Sequence, residues 1–154
     1  MKGIGRRMRA WGVRAVVGAG LALLVGCAPA GPVDIDTNSD ACARCRMSID
    51  GLAHAGEIIT QDGEVRKFDS LGCLVKDYLA LAASGRKLTG TWVIDYDAKT
   101  WLPAQQAYYA RADLPTDHMG LGIAAAATRD RALMIAGGDA SRVGDWPALQ
   151  AWGR

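Results

Sequence analysis

Stretches with strand-type and helix-type spacing of apolar residues alternate along this chain. Two strand-type runs flank the turn signal Asp62-Gly63, which predicts a β-hairpin. Apolar residues then recur at steps of three and four, the pattern of a helix with one apolar face. Asp69 or Ser70 is placed to cap this helix and Gly85 to end it. The predicted elements of this part are strands at Ala53–Thr60 and Glu64–Phe68, a helix from Leu71 to Ala82, and a strand at Thr91–Ile94.

A similar order of elements recurs in the second half of the chain. Thr128 is placed to cap a short helix that Gly137-Gly138 would stop, and Asp145 to cap a last helix. Strands are predicted at Ala107–Tyr109, at Gly122–Thr128 and, as a short piece, at Ala140–Val143. The element order therefore predicts an α+β fold made of two small units, residues 41–98 and 99–154.

The N-terminal stretch is typical of a targeting segment rather than of the folded protein. A stretch with five basic residues and no acidic ones precedes an apolar run, Ala15–Val25, that is too short for a permanent membrane span. The run closes on Leu24-Val25-Gly26-Cys27, which resembles the lipobox of lipoprotein leaders. Residues 1–26 are therefore predicted to be a signal peptide, with Cys27 the first mature residue and the site of acylation. The alternative is an ordinary secretory leader in which Cys27 is incidental.

Removing the leader changes the electrostatic picture. The chain carries 18 basic and 16 acidic residues, a net charge of +2, but five of the basic residues lie in residues 1–26. The remainder has a net charge of −3, which gives no basic patch to attract nucleic acid. Residues 27–40, with two prolines and few apolar side chains, are predicted to be a flexible tether.

The first candidate for chemistry is the motif Cys42-Ala-Arg-Cys45-Arg-Met47. Two thiols and a thioether form a soft ligand set that suits Cu(I), and in an extended segment Cys45 and Met47 would point to the same side. Three alternatives use the same cysteines: an inert disulfide, a thioredoxin-type redox pair, or half of a zinc site. A zinc site would need further ligands, for which the chain offers His54, Cys73 and His118.

Other residues with ligand chemistry are more scattered. Asp117-His118-Met119-Gly120 offers a second soft or borderline pair in a polar loop. Cys73, in the first turn of the predicted helix, is assigned first to packing between the units and second to metal ligation. His54 is interpreted as structural, and Asp95 and Asp97 as turn residues rather than an acid/base pair.

Taken together, these motifs resemble those of the NosL family, the lipoproteins that accompany nitrous oxide reductase. The resemblance rests on the lipobox at Cys27, the Cys42-x-x-Cys45-x-Met47 motif and several later segments. These are Phe68-Asp69-Ser70-Leu71-Gly72-Cys73-Leu74, Trp92-Val93-Ile94-Asp95-Tyr96, Ala107-Tyr108-Tyr109 and Met119-Gly120-Leu121-Gly122. It implies two ββαβ units similar to those of organomercurial lyases. It also matches Cys45, Met47 and Met119 to the family's copper ligands, with Cys42 and His118 as further candidates.

The resemblance implies a periplasmic copper chaperone rather than an enzyme. Such a protein would be lipid-anchored to a membrane, expected to be the outer one, and would deliver Cu(I) toward the copper–sulfide centre of nitrous oxide reductase. Its expected partners are that reductase, its membrane maturation transporter and the lipid bilayer, with no nucleic acid. Two alternatives stay open from the residues: a thiol-dependent enzyme, with Cys45, Cys73 and Asp69 as the lyase-like candidate set, or a structural lipoprotein with a Cys42–Cys45 disulfide.

Overall fold

A computed structural model describes residues 31–114 and 122–154 of the chain. Cys27, His118 and Met119 lie outside the described residues. The described chain forms two antiparallel sheets with helices packed beside them, so the predicted α+β class is confirmed.

The first sheet has the strand order β2-β1-β3-β4. Its strands are β1 (Gly56–Thr60), β2 (Val65–Phe68), β3 (Leu88–Ile94) and β4 (Trp101–Pro103). The predicted hairpin is present, and Gly63 at its turn has φ of 86°, a conformation that glycine adopts without strain. β4 pairs with β3, so this sheet extends beyond residue 98, where the first unit was predicted to end.

Helix α1 (Leu71–Ala83) crosses the inner face of the first sheet. Ser70 caps it by accepting a hydrogen bond from the Cys73 N–H at 3.2 Å, and Gly85 follows its end with φ of 73°. The first turn is buried nearly all round because α1 lies between the first sheet and the second unit. That position accounts for a buried Cys73 on the side of the helix opposite its apolar stripe.

The second sheet has the order β6-β5-β7 and carries the remaining helices. The elements are β5 (Tyr108–Arg111), β6 (Ile123–Ala126), α2 (Arg129–Ile135), β7 (Val143–Gly144) and α3 (Trp146–Trp152), with short 3-10 turns at Ala104–Gln106 and Ala140–Arg142. Thr128 and Asp145 cap α2 and α3 as predicted. The predicted strand at Ala140–Val143 is wrong over most of its length, because Asp139 caps a 3-10 turn there.

One shared core and one carboxylate join the two sheets. Trp146 of α3 packs edge-on against Tyr78 of α1, with ring centroids 4.8 Å apart, and the Tyr109 hydroxyl donates to the Ala104 carbonyl at 2.6 Å. Asp95, buried after β3, accepts from the N–H groups of Asp97 and Ala98 in its own turn. Its other oxygen accepts from the Ala127 N–H of the second unit at 2.9 Å. The prediction of a turn at Asp95 and Asp97 is confirmed.

Residues 31–40, the described part of the predicted tether, contact the first sheet. The Val33 N–H donates to the buried carboxylate of Glu57 at 3.0 Å, and Lys67 pairs with Asp40 at 2.7 Å. Ile35 packs against the small apolar cluster on the outer face of the first sheet. From Gly31 onward, this segment therefore lies on the sheet instead of acting as a flexible spacer.

The close approach of α1 to β1 gives a stability prediction at Gly56. A Cβ at this position would lie 2.4 Å from Leu74 Cδ1 and 2.8 Å from the Trp92 carbonyl oxygen. Gly56→Ala should therefore lower the free energy of unfolding by roughly 1–3 kcal/mol, the usual cost of overpacking, measured by urea denaturation. Gly51→Ala is the matched control, since nothing lies within 4 Å of its Cβ. Equal stability of the two variants would contradict this account of the packing.

Candidate metal centre

Residues 41–48 form a tight turn that presents the first two cysteines. The Cys42 N–H donates to the Met47 carbonyl at 2.8 Å, and the Arg46 N–H donates to the Cys42 carbonyl at 3.0 Å. Arg46 has φ of 68°, the left-handed conformation that lets the chain reverse between Cys45 and Met47. The segment is thus a turn and not the extended strand considered from the sequence. The expectation that Cys45 and Met47 point to the same side of a strand therefore does not apply.

The second half of the centre comes from the junction between β2 and α1. The Ala43 N–H donates to the Lys67 carbonyl at 2.7 Å, which fixes the turn of residues 41–48 beside the end of β2. β2 ends at Phe68, so Asp69 and Ser70 follow directly, and Cys73 lies in the first turn of α1. Because Ser70 caps the helix, Asp69 is free to face the cysteines.

These two segments bring together a thiol cluster, which we define as Cys42, Cys45, Asp69 and Cys73. One ligand atom from each residue lies within 4.8 Å of those of the other three. The Cys45 thiol donates to Asp69 Oδ1 at 3.6 Å. Cys42 is 0% exposed and Cys73 6% exposed, whereas Cys45 and Asp69 are partly exposed, so the cluster is open to solvent on one side only.

The closeness of the three thiols and the Asp69 carboxyl disfavours more than a small negative charge on the cluster. The hydrogen bond from the Cys73 thiol lowers the pKa of Cys42 to about 4, and the backbone N–H of Cys45 supports the thiolate. That same bond, together with burial, raises the pKa of Cys73, and desolvation raises the pKa of Cys45. Desolvation and the Cys42 thiolate also raise the pKa of Asp69. Without a cation the cluster holds one thiolate and resists further ionisation.

A bound cation reverses this balance because it stabilises additional thiolates in the same small space. Three sulfur ligands favour a soft ion, and the one-sided access leaves a route for its entry and exit. The arrangement therefore suits reversible capture of a thiophilic metal ion.

Met47 lies at the open side of the centre. Its side chain is exposed (43%) and borders a cavity of about 390 Å³ that Asp69 and Ser70 also line. His54 lies in the wall of this cavity, with Nδ1 3.3 Å from the Ile123 carbonyl oxygen and its ring 5.4 Å from that of Tyr96. His54 precedes β1 in a turn, and these contacts agree with a structural role.

Sequence reasoning named most of these residues without grouping them as the structure does. Cys42, treated from the sequence as a further candidate, is the buried centre of the cluster, and Cys73, assigned first to packing, belongs to it as well. Asp69 was considered only as a helix cap and as part of the lyase-like set. The position of Asp69 directly after the end of β2 could have indicated that it belongs to the site. Cys45 lies in the cluster, while His118 and Met119 lie outside the described residues.

The fold and the thiol cluster define a small α+β protein with a candidate site for a soft metal. A NosL family model matches residues 32–141, and the chain belongs to the NosL family. The resemblance predicted from the sequence motifs is thereby confirmed.

Among solved structures, the chain is similar to the crystal structure of the copper chaperone NosL from Shewanella denitrificans. The TM-score is 0.56 at 19% identity, over 70% of this chain and 86% of the other. This likeness supports the fold found here. The comparison with curated proteins gives no match. Membership of the NosL family agrees with the prediction that the chain is not an enzyme.

Proposed function

We propose that this protein is a chaperone that carries Cu(I) as cargo at the thiol cluster. The observation that carries the proposal is the convergence of Cys42, Cys45, Cys73 and Asp69 within 4.8 Å. Thiolate and thioether sulfur are the donors that Cu(I) prefers, and this ion accepts a low and variable number of ligands. Membership of the NosL family and the copper chaperone with a similar fold support this choice of metal.

The uneven burial of the ligands supports transfer rather than storage. Cys42 and Cys73 are buried at the back of the cluster, Cys45 is partly exposed, and Met47 is exposed at the cavity mouth. An incoming donor from a partner can therefore bind the ion on its open side before the chaperone's own ligands leave. We include Met47 and Met119 as thioether ligands, and His118 as a further candidate, on the family resemblance.

An anaerobic Cu(I) titration of the reduced protein against a competing chelator tests the proposal. Cys45→Ser should weaken binding by at least about 100-fold, above the range for loss of an outer-shell partner. Met47→Leu and Met119→Leu keep the side-chain volume and remove the sulfur, so they should weaken binding less while speeding release of copper. Unchanged affinity after both Cys45→Ser and Met119→Leu would contradict the proposed ligand set.

Copper affinity should depend on pH because binding releases thiol protons. The raised pKa values of Cys45 and Cys73 keep both thiols protonated at neutral pH, so each must lose a proton to ligate the ion. The Cu(I) association constant should therefore rise about tenfold per pH unit for each proton released. Titrations at pH 6, 7 and 8 measure this slope. Cys45→Ser should reduce it by one proton, and a flat profile would contradict thiolate ligation.

Asp69 favours Zn(II) as a second candidate ion. Three thiolates and one carboxylate match a tetrahedral zinc site, and a carboxylate is a poor ligand for Cu(I). Asp69→Asn separates the two cases, since it should weaken zinc binding far more than copper binding. Displacement of Cu(I) by equimolar Zn(II) in the reduced protein would favour zinc as the cargo.

Delivery and anchoring complete the proposal. We place the chaperone in the periplasm, anchored through acylated Cys27 to a membrane, expected to be the outer one. No helix among the described residues is long and apolar enough to cross a bilayer. Cys27→Ala should release the protein from the membrane fraction.

The proposed client is nitrous oxide reductase, and the membrane transporter for its maturation is the second proposed partner. Full copper content of the reductase in cells carrying only the Cys45→Ser variant would contradict this client.

A further inference from the structure

The three thiols of the cluster differ in their access to solvent, which separates them into two kinds. Cys45 is partly exposed, whereas Cys42 is 0% and Cys73 6% exposed. All three are free thiols, and their sulfur atoms lie within 4.8 Å of one another. Because a disulfide has an S–S distance of about 2.0 Å, the sulfur atoms of any two of them need to close by at most about 2.8 Å to be joined.

We propose that the cluster is also a thiol–disulfide exchange site, in which Cys45 takes up oxidising equivalents from small disulfides and Cys42 and Cys73 store them as an internal disulfide. The co-reactant is a low-molecular-weight disulfide, R–S–S–R. An external disulfide can reach only Cys45, because the other two sulfur atoms are buried. The buried pair can be oxidised only by relay.

The exchange runs in three balanced steps. Cys45 attacks R–S–S–R, its proton passes to the Asp69 carboxylate 3.6 Å away, and R–S⁻ leaves. The Cys42 thiolate then attacks Cys45 Sγ, forms the Cys42–Cys45 bond and releases the second R–S⁻. Finally Cys73 attacks Cys42 Sγ, loses its proton and displaces the Cys45 thiolate, which takes up a proton. In total the Cys42 thiolate and the Cys73 thiol are oxidised to one disulfide, and one R–S–S–R is reduced to two R–S⁻, which take up the proton held by Asp69 and one proton from water.

The position of Cys73 favours the last step. The Cys73 and Cys42 sulfur atoms lie within 4.8 Å of each other and are both buried, so the attacking sulfur is already beside its target. A Cys42–Cys45 bond keeps a partly exposed sulfur that external thiols can attack, whereas a Cys42–Cys73 bond is buried on both sides. The buried bond therefore accumulates and ties the turn of residues 41–48 to α1.

Such oxidation would switch off metal binding, a consequence that rests on the proposed function. The Cys42–Cys73 bond removes two of the three thiolates, and bound Cu(I) in turn occupies the sulfur electron pairs needed for attack. The copper-loaded chaperone should therefore resist disulfides that oxidise the metal-free form.

Tryptic mapping tests the relay without any metal. Reduced, metal-free protein is treated with oxidised glutathione, alkylated with iodoacetamide at intervals and digested. Cleavage after Arg44, Arg46, Lys67 and Lys76 places the three cysteines in three different peptides, and a Cys27→Ala background removes the second cysteine from the Cys42 peptide. The expected end product joins the Cys42 peptide to peptide Phe68–Lys76, and Cys45 is recovered alkylated in its own peptide, Cys45–Arg46. An end product with a Cys42–Cys45 bond, or a glutathione adduct on Cys45 with no internal disulfide, would overturn the proposal.

Two variants test the order of the steps. Cys45→Ser should slow formation of the Cys42–Cys73 bond by at least about tenfold, because it removes the accessible thiol. Cys73→Ser should stop the reaction at Cys42–Cys45. An unchanged rate in Cys45→Ser would overturn the relay. A copper titration of oxidised and reduced protein then separates the two ideas: if neither form binds Cu(I), the proposed function fails while the mapped relay stands.

Discussion

Replacing Cys42 by serine is expected to weaken Cu(I) binding by at least about 100-fold, more than loss of an outer-shell partner costs. The reason is the position of Cys42 at the buried centre of the thiol cluster, where it is the one sulfur already ionised. The Cys73 hydrogen bond holds its pKa at about 4, so it offers a ready anionic ligand at neutral pH. Serine has nearly the same shape but no comparable affinity for a soft ion. Competition titration under anaerobic conditions measures the change.

Ser48→Ala is the matched control for this substitution. Ser48 is an exposed residue at the end of the same turn, and its main chain bridges to Ala41. Its hydroxyl is not among the ligand groups of the cluster, so copper affinity should stay within about twofold of the parent, in line with the small effect of surface substitutions. If Cys42→Ser binds copper as tightly as Ser48→Ala, Cys42 is no ligand and the cluster is not the copper site.

The largest effect on stability is expected for Asp95→Ala. The carboxylate accepts two N–H groups in its own turn and one from Ala127 at the end of β6, and it is only 6% exposed. Alanine would remove these three hydrogen bonds to a carboxylate, each with a net contribution of roughly 1–1.5 kcal/mol. The free energy of unfolding should therefore fall by about 3–5 kcal/mol, measured by urea denaturation.

Asp97→Ala provides the comparison within the same turn. Asp97 pairs with Arg131 of α2, but both side chains are about 40% exposed, at 41% and 42%. Exposed ion pairs contribute about 0–1 kcal/mol, so this variant should remain close to the parent in stability. A loss for Asp95→Ala no larger than that for Asp97→Ala would show that Asp95 does not hold the two units together.

Local patterns in the sequence predicted the elements better than the site. The Asp62-Gly63 turn, the Ser70 cap and the periodic helix after it depend on residues close in sequence, and all three are present. The Ala140–Val143 piece failed because Asp139 bonds its own turn, which competes with a strand. The docking of residues 31–40 depends on the distant Glu57, which no local pattern reveals.

The thiol cluster shows the same limit for functional residues. The Cys42–Cys45 spacing was visible, but the contribution of Cys73 follows from the packing of α1 between a sheet and the second unit. The helical wheel correctly placed Cys73 away from the apolar stripe. It could not show that the other face would be covered too. The family motifs predicted the metal and the class of protein, while the grouping of ligands needed the fold.

X-ray absorption at the copper edge of the anaerobically loaded protein tests the central claim most directly. The account predicts one Cu(I) per chain with a first shell of sulfur, and a lower sulfur count in Cys42→Ser and Cys73→Ser. A first shell dominated by nitrogen or oxygen, or a spectrum that neither substitution changes, would contradict a copper site built on the thiol cluster.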